Sequence, residues 1–238
     1  MTWSIIARDA TSGAFGVAIA TRFFAAGALC PHAESGVGAL STQALVNPHY
    51  GAEGLKLLRA GVPAQEAVRR LIAPDEGREQ RQLHVIDAAG GIGQHTGKSC
   101  IDWCGAISGN GFSVAGNMLA SPRVIESTAN TYEEKKELPF AERLLAALEA
   151  GEAAGGDKRG KQSAALLIHT TESYPQLSLR VDDHAEPLAE LRRLYIKAHE
   201  RFVPFMACGP SKARPWGVLD RQLIEDEVAR HVRSRSAS

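Results

Sequence analysis

Residues 2–22, TWSIIARDATSGAFGVAIATR, restrict the possible folds more than any other stretch of the chain. Trp3, Ile5 and Ala7 alternate with Thr2, Ser4 and Arg8. After the turn-forming run at residues 9–13, Phe15, Val17, Ile19 and Thr21 resume the same period of two. That is the pattern of a β-hairpin. The opposite face of its second strand carries only Gly16, Ala18 and Ala20, side chains small enough for another element or a ligand to come close to the sheet. Chain ends usually fray. A pattern that enters a core strand at its second residue therefore points to a use for the terminus itself.

Thr2 supplies the candidate chemistry. Met1 precedes a small residue, and its removal would leave a hydroxyl and a free α-amine on one threonine. An amine beside a hydroxyl can take its proton, which gives an activated nucleophile. An α-amine has a reference pKa of about 7.7–8.0, against about 10.4 for lysine, so roughly a quarter of such amines are already neutral near pH 7.4. None of the 23 glycines is followed by Thr, Ser or Cys. Loss of Met1 is then the simplest route to a nucleophile, with no internal cut.

Beyond the hairpin, strands are predicted at residues 37–44, 83–87, 92–96, 112–116, 164–169 and 177–181. Two short helices are predicted after a turn at residues 47–51 and before Pro74, a broken helix from Ser121 to about residue 154, and another from Pro187. Ser121 is the expected cap of the broken helix, with Pro122 in its first turn. Strands and helices come in separate runs, which suits two sheets between helical layers better than a βαβ alternation. Residues 1–200 read as one α+β domain. Residues 201–238 read as its extension, irregular at 202–216, helical at 218–232 and ragged from 233. The apolar stripe of that helix, Leu219, Leu223, Ile224 and Val228, needs a cover, either its own core or another copy in a homo-oligomer.

The segments T-W-S-I-I-A-R-D, G-V-A-I-A-T-R, G-V-G-A-L-S-T-Q-A, N-P-x-Y-G, G-N-M-L, G-G-D-K-R-G-K-Q-S-A-A-L and L-R-V-D-D-H, from Thr2 to about Tyr195, together resemble the DUF1028 family. That group is assigned to the N-terminal-nucleophile (Ntn) hydrolases. The resemblance implies a four-layer αββα sandwich with two stacked, mainly antiparallel sheets and a hydrolase site at the first residue of the first strand. It supplies no substrate.

Several polar residues are candidates to join Thr2. Asn117 follows a predicted strand, and its amide is a natural oxyanion donor; a turn asparagine bonding its own backbone is the alternative. Thr21 and Arg22 end the second hairpin strand opposite Thr2, where Arg22 could orient the amine or meet an anion. Gln43 ends the strand at 37–44. Asp157, Arg159, Gln162 and Ser163 belong to a glycine-rich loop able to bind a carboxylate or amide, although it lacks the G-K-[ST] ending of a phosphate loop. The Arg, Asn and Gln content of this set points to a small polar amide as substrate.

Twenty-seven basic residues balance 27 acidic ones, which argues against nucleic acid or an anionic membrane as partner. No secretory signal or membrane-spanning run is present, so the cytoplasm is the expected compartment and four cysteines read as reduced thiols. Cys100 and Cys104 lack a second pair, and Asp182 with His184 offers too few ligands. No metal or cofactor is expected. Two function classes remain: an amidohydrolase acting on a small molecule through Thr2, and a non-catalytic binding or assembly protein with the same sandwich and a blocked terminus.

Overall fold

A computed structural model describes residues 2–236. Its strands are β1 (Thr2–Arg8), β2 (Phe15–Thr21), β3 (Pro31–Glu34), β4 (Gly38–Ala44), β5 (Arg81–Asp87), β6 (Ile92–Thr96), β7 (Trp103–Gly109), β8 (Phe112–Leu119), β9 (Ser163–His169) and β10 (Leu177–Val181). Its α-helices are α1 (His49–Arg59), α2 (Ala64–Ile72), α3 (Arg123–Glu134), α4 (Phe140–Ala153), α5 (Pro187–Glu200), α6 (Phe202–Ala207) and α7 (Arg221–Ser236).

The predicted hairpin forms in full, with Thr2 opposite Thr21 and Arg8 opposite Phe15. It lies at the middle of a six-stranded sheet of order β10-β9-β2-β1-β8-β7. A four-stranded sheet, β3-β4-β5-β6, stacks on one face of it. Every strand pair among the described residues is antiparallel. Helices α3, α4 and α5 cover the outer face of the larger sheet, and α1 and α2 cover the smaller one. The chain is an αββα sandwich.

Side-chain period decides which layer each residue enters. Trp3, Ile5, Ala7, Ala18 and Ala20 join Leu144, Leu145 and Leu148 of α4 in the core beneath the helices. Ile6, Phe15 and Val17 meet Ala39 and Ile86 of the other sheet. Full burial of each large aliphatic or aromatic side chain contributes about 1.5–3 kcal/mol. The small face of β2 receives α4: a Cβ at Gly16 would run into Leu144 and Phe140.

Two strands are absent from the sequence reading. β7, WCGAISG, has no clean alternation and is irregular between Trp103 and Gly105, so only its pairing with β8 defines it. β3 is four residues long and begins at a proline, as sheet-edge strands can. β8 continues through Asn117 to Leu119. Ser121 makes no side-chain cap; its carbonyl accepts from the Val124 N–H, and α3 starts after Pro122.

The segment expected to be irregular after residue 201 contains α6, and the last helix runs through Ser236, past the point where a ragged tail was expected; residues 237 and 238 lie outside the described part. On α7 Val228 is buried, whereas Leu223 and, before the helix, Leu219 stand in solvent. Among the described residues no helix is long and apolar enough to cross a membrane.

Candidate active site

Thr2 opens β1 between two partners, Thr21 on β2 and Asn117 on β8. A strand paired on both sides holds its first residue as firmly as its middle, and Thr2 is only 7% exposed. Its Oγ1 donates to Thr21 Oγ1 at 3.1 Å. Asn117 Nδ2 donates to Gln82 Oε1 at 3.0 Å and lies 3.5 Å from the Thr2 carbonyl oxygen. Asn117 Oδ1 is buried and has no partner among the described residues. With the nitrogen engaged, the open group is an acceptor. Asn117 is therefore not placed to donate to an oxyanion, as its sequence position had suggested.

Below Thr2, the inner faces of the two sheets carry a chain of polar side chains. Gln43 Nε2 donates to Gln82 Oε1 at 2.8 Å and to the Ala115 carbonyl at 3.2 Å. Gln82 Nε2 reaches the Gly116 carbonyl at 2.9 Å and Thr96 Oγ1 at the same distance. Ser4 Oγ donates to Gln43 Oε1 at 2.7 Å, so it accepts from His84 Nε2, 2.8 Å away. That leaves His84 Nδ1 to accept from Ser113 Oγ at 2.9 Å, which in turn accepts from Gln94 Nε2 at 2.8 Å. The chain assigns the tautomer. Burial pushes the His84 pKa down to about 3, so the ring is neutral and has one donor and one acceptor, as this pattern requires.

A cleft of about 450 Å³ opens over Thr2. Gln43, Asn117, Met118 and Arg159 line it beside Thr2, and Phe23, Leu45, Val46 and Ile101 form much of its wall. Ala44 (φ 71°) and Met118 (φ 55°) sit in the left-handed region; Ala25 (φ 52°) and Asp102 (φ 55°) adjoin the lining residues Ala26 and Ile101. These four are all the non-glycine residues with positive φ among the described ones. Such backbone costs about 1–3 kcal/mol per residue and persists where surrounding structure enforces it. Cys30 and Cys100 also reach the cleft, but burial pushes Cys30 up to about 12 and raises Cys100, so both remain thiols.

The sequence profile described as "Family of unknown function (DUF1028)" matches residues 2–191. The chain belongs to the DUF1028 family. Its fold is similar to the crystal structure of protein SPO2555 from Silicibacter pomeroyi, also described as DUF1028, at 32% identity and a TM-score of 0.86, over 92% of this chain and 96% of that one. Anbu (ancestral beta-subunit) from Yersinia bercovieri matches at 13% identity and a TM-score of 0.39, over 82% of this chain and 94% of that one. No curated protein matches.

In this DUF1028 chain the glycine-rich loop serves as a clamp. Asp157, its side chain buried, accepts from the backbone N–H of Arg22 at 2.7 Å and of Arg159 at 2.8 Å. Arg22 Nη1 donates to the Arg159 carbonyl at 2.6 Å. Ser163 Oγ donates to the Phe23 carbonyl at 2.6 Å. Thr2, Thr21, Asn117, Gln43 and Arg159 thus converge, Arg22, Asp157 and Ser163 tie the cleft walls, and Gln162 turns away to Asp183 at 3.0 Å. The Gln43 and Asn117 amide nitrogens point into the intersheet chain, so the polar groups left to the cleft are Asn117 Oδ1, Arg159, Gln80 and Ser99. Sequence reasoning missed Gln82 and His84, and also the apolar wall. Only the polar positions alternating along residues 81–85 hinted at the first two.

Proposed function

We propose that this DUF1028 protein is an Ntn-type amidohydrolase in which Thr2, freed of whatever precedes it, is the nucleophile. The observation that carries this reading is the position of Thr2: a central-strand residue at the floor of a cleft, its Oγ1 bonded to Thr21 and the partnerless acceptor Asn117 Oδ1 beside it. Met1 lies outside the described residues.

Thr2 Oγ1 adds to the carbonyl carbon of an amide as its proton passes to the α-amine. The C–N bond breaks, and the departing nitrogen takes that proton. Water then adds to the acyl-threonine ester, the C–Oγ1 bond breaks, Oγ1 regains a proton and the carboxylic acid leaves. Asn117 Oδ1 accepts an N–H of the α-amine and so aims its lone pair at Oγ1. For the attack the bond between the two hydroxyls reverses, Thr21 Oγ1 donating to Thr2 Oγ1 and so leaving the Thr2 proton for the amine, and Gln82 fixes the Asn117 amide so that oxygen, not nitrogen, is free.

Intact mass tests the first step: the mature protein should begin at Thr2. Thr2→Ala, processed and folded, should lose ammonia release from primary amides, while Thr2→Ser and Thr2→Cys keep part of it. Full activity in Thr2→Ala, or in protein that retains Met1, would exclude the nucleophile and leave a binding or assembly role.

A further inference from the structure

The cleft wall is costly to maintain. Phe23, Leu45 and Ile101 are 51%, 57% and 58% exposed, yet all three face one cavity, and they come from three separate connections: after β2, after β4 and before β7. Large apolar side chains scattered singly over a surface need no explanation, whereas a cluster converging on one cavity does. Each of these connections also contains or adjoins a left-handed non-glycine residue, Ala25, Ala44 or Asp102, and the left-handed Met118 lines the same cavity. The Met118 N–H donates to the Ile101 carbonyl at 3.2 Å, and the Leu45 N–H to the Gln80 carbonyl at 3.1 Å, so the loops are tied in these poses. Strained backbone and solvent-exposed apolar surface are two independent costs borne by the same loops. Both are offset if an apolar group regularly fills the space between them.

From this we infer that the cleft takes an amide whose acyl group is bulky and apolar, a linear aliphatic or aromatic chain lying between Phe23, Leu45 and Ile101 with its carbonyl over Thr2. The inference rests on the reading of Thr2 as nucleophile only for the orientation of the carbonyl. At about 450 Å³ the cavity lies toward the small end of the roughly 300–1,000 Å³ typical of small-molecule sites, which favours a small molecule over a segment of another protein. Arg159 is the one charged side chain among the described lining residues; Gln80 and Ser99 add neutral polar groups, and the wall formed by Phe23, Leu45, Val46 and Ile101 holds no charge to meet a polar acyl chain.

The test uses the primary amides acetamide, butanamide, hexanamide and octanamide, which share ammonia as leaving group. For the mature protein kcat/KM should rise about fourfold per added methylene until the cavity is full. Binding of the same amides to the processed Thr2→Ala protein, read by calorimetry, should rise with length in parallel. Leu45→Ser and Ile101→Ser should each flatten both slopes. Turnover or binding that ignores chain length would overturn the apolar acyl site and leave the nucleophile standing. Length-dependent binding to Thr2→Ala with no turnover by the mature protein would keep the acyl site and overturn the nucleophile. Absence of both, with a dimer that Leu45→Ser dissociates in sedimentation, would make the wall a contact between copies and overturn the inference.

Discussion

His84 Nε2 meets Ser4 Oγ at 2.8 Å across the gap between the two sheets, where full burial disfavours a charged imidazole more than its bond to Ser113 favours one. In the unfolded chain the ring titrates near about 6.5; in the folded protein burial holds it down to about 3. Between those values the unfolded state binds the proton and the native state does not. The contribution is therefore complete above about pH 6.5 and is lost as pH falls toward 3, with a slope approaching about 1.4 kcal/mol per pH unit for this one proton. His84→Gln keeps a donor and an acceptor but cannot titrate. Urea unfolding from pH 7 to pH 4 should show the wild type losing stability faster than that variant.

Asn117→Asp exchanges the Nδ2 donor for a second acceptor facing Gln82 Oε1. Two oxygens cannot share that contact, and the Gln43 amide already serves Gln82 Oε1 from the other side. We expect a loss of about 1–3 kcal/mol in urea unfolding at neutral pH, the usual cost of an unsatisfied buried polar group. The loss should shrink at acid pH, where the carboxyl can donate.

Ala44→Gly should behave against the usual trend. Glycine in a strand generally weakens it, but Ala44 sits at φ 71°, where a Cβ is itself the source of strain. Relief of that strain should outweigh the greater freedom of the unfolded chain, raising the urea midpoint by the equivalent of up to about 1 kcal/mol. A fall of the midpoint would show that the Cβ packing matters more than the strain.

Gly16→Val fills the space through which α4 approaches the sheet. Its side chain would strike Leu144 and Phe140 in the core beneath the helices. Overpacking of this kind costs about 1–3 kcal/mol, so the midpoint should drop. Ala10→Val, exposed in the turn between β1 and β2, is the control, and its midpoint should fall less.

Much of the fold was legible because apolar period and turn residues agree over long stretches. The hairpin, α1 and α2 around Gly61 and Pro63, and the stripe of Leu144, Leu145 and Leu148 all lie where the pattern puts them. β7 and β3 were not legible, since an irregular edge strand is defined by its neighbour and not by its own sequence. At the site, the convergence of Thr2, Thr21 and Asn117 follows from strand ends and hairpin register. Which Asn117 atom stays open follows from Gln82, a residue 35 positions away that no local pattern links to it. The left-handed turns at Ala44 and Met118 had no residue signature, because neither alanine nor methionine favours that conformation.

The double pairing of Thr2, to Thr21 on one side and Asn117 on the other, has a consequence for timing. Once β8 has closed against β1, Thr2 is held between two strands, and an aminopeptidase needs an extended, freely moving end. More than a hundred residues separate the two strands, so the growing chain exposes its beginning long before that closure is available. If Thr2 is the nucleophile proposed above, its maturation therefore belongs to synthesis. On that proposal, chains refolded with the initiator still attached should resist later trimming, and the active fraction of a preparation would record how quickly the end was cut and not how well the protein folded.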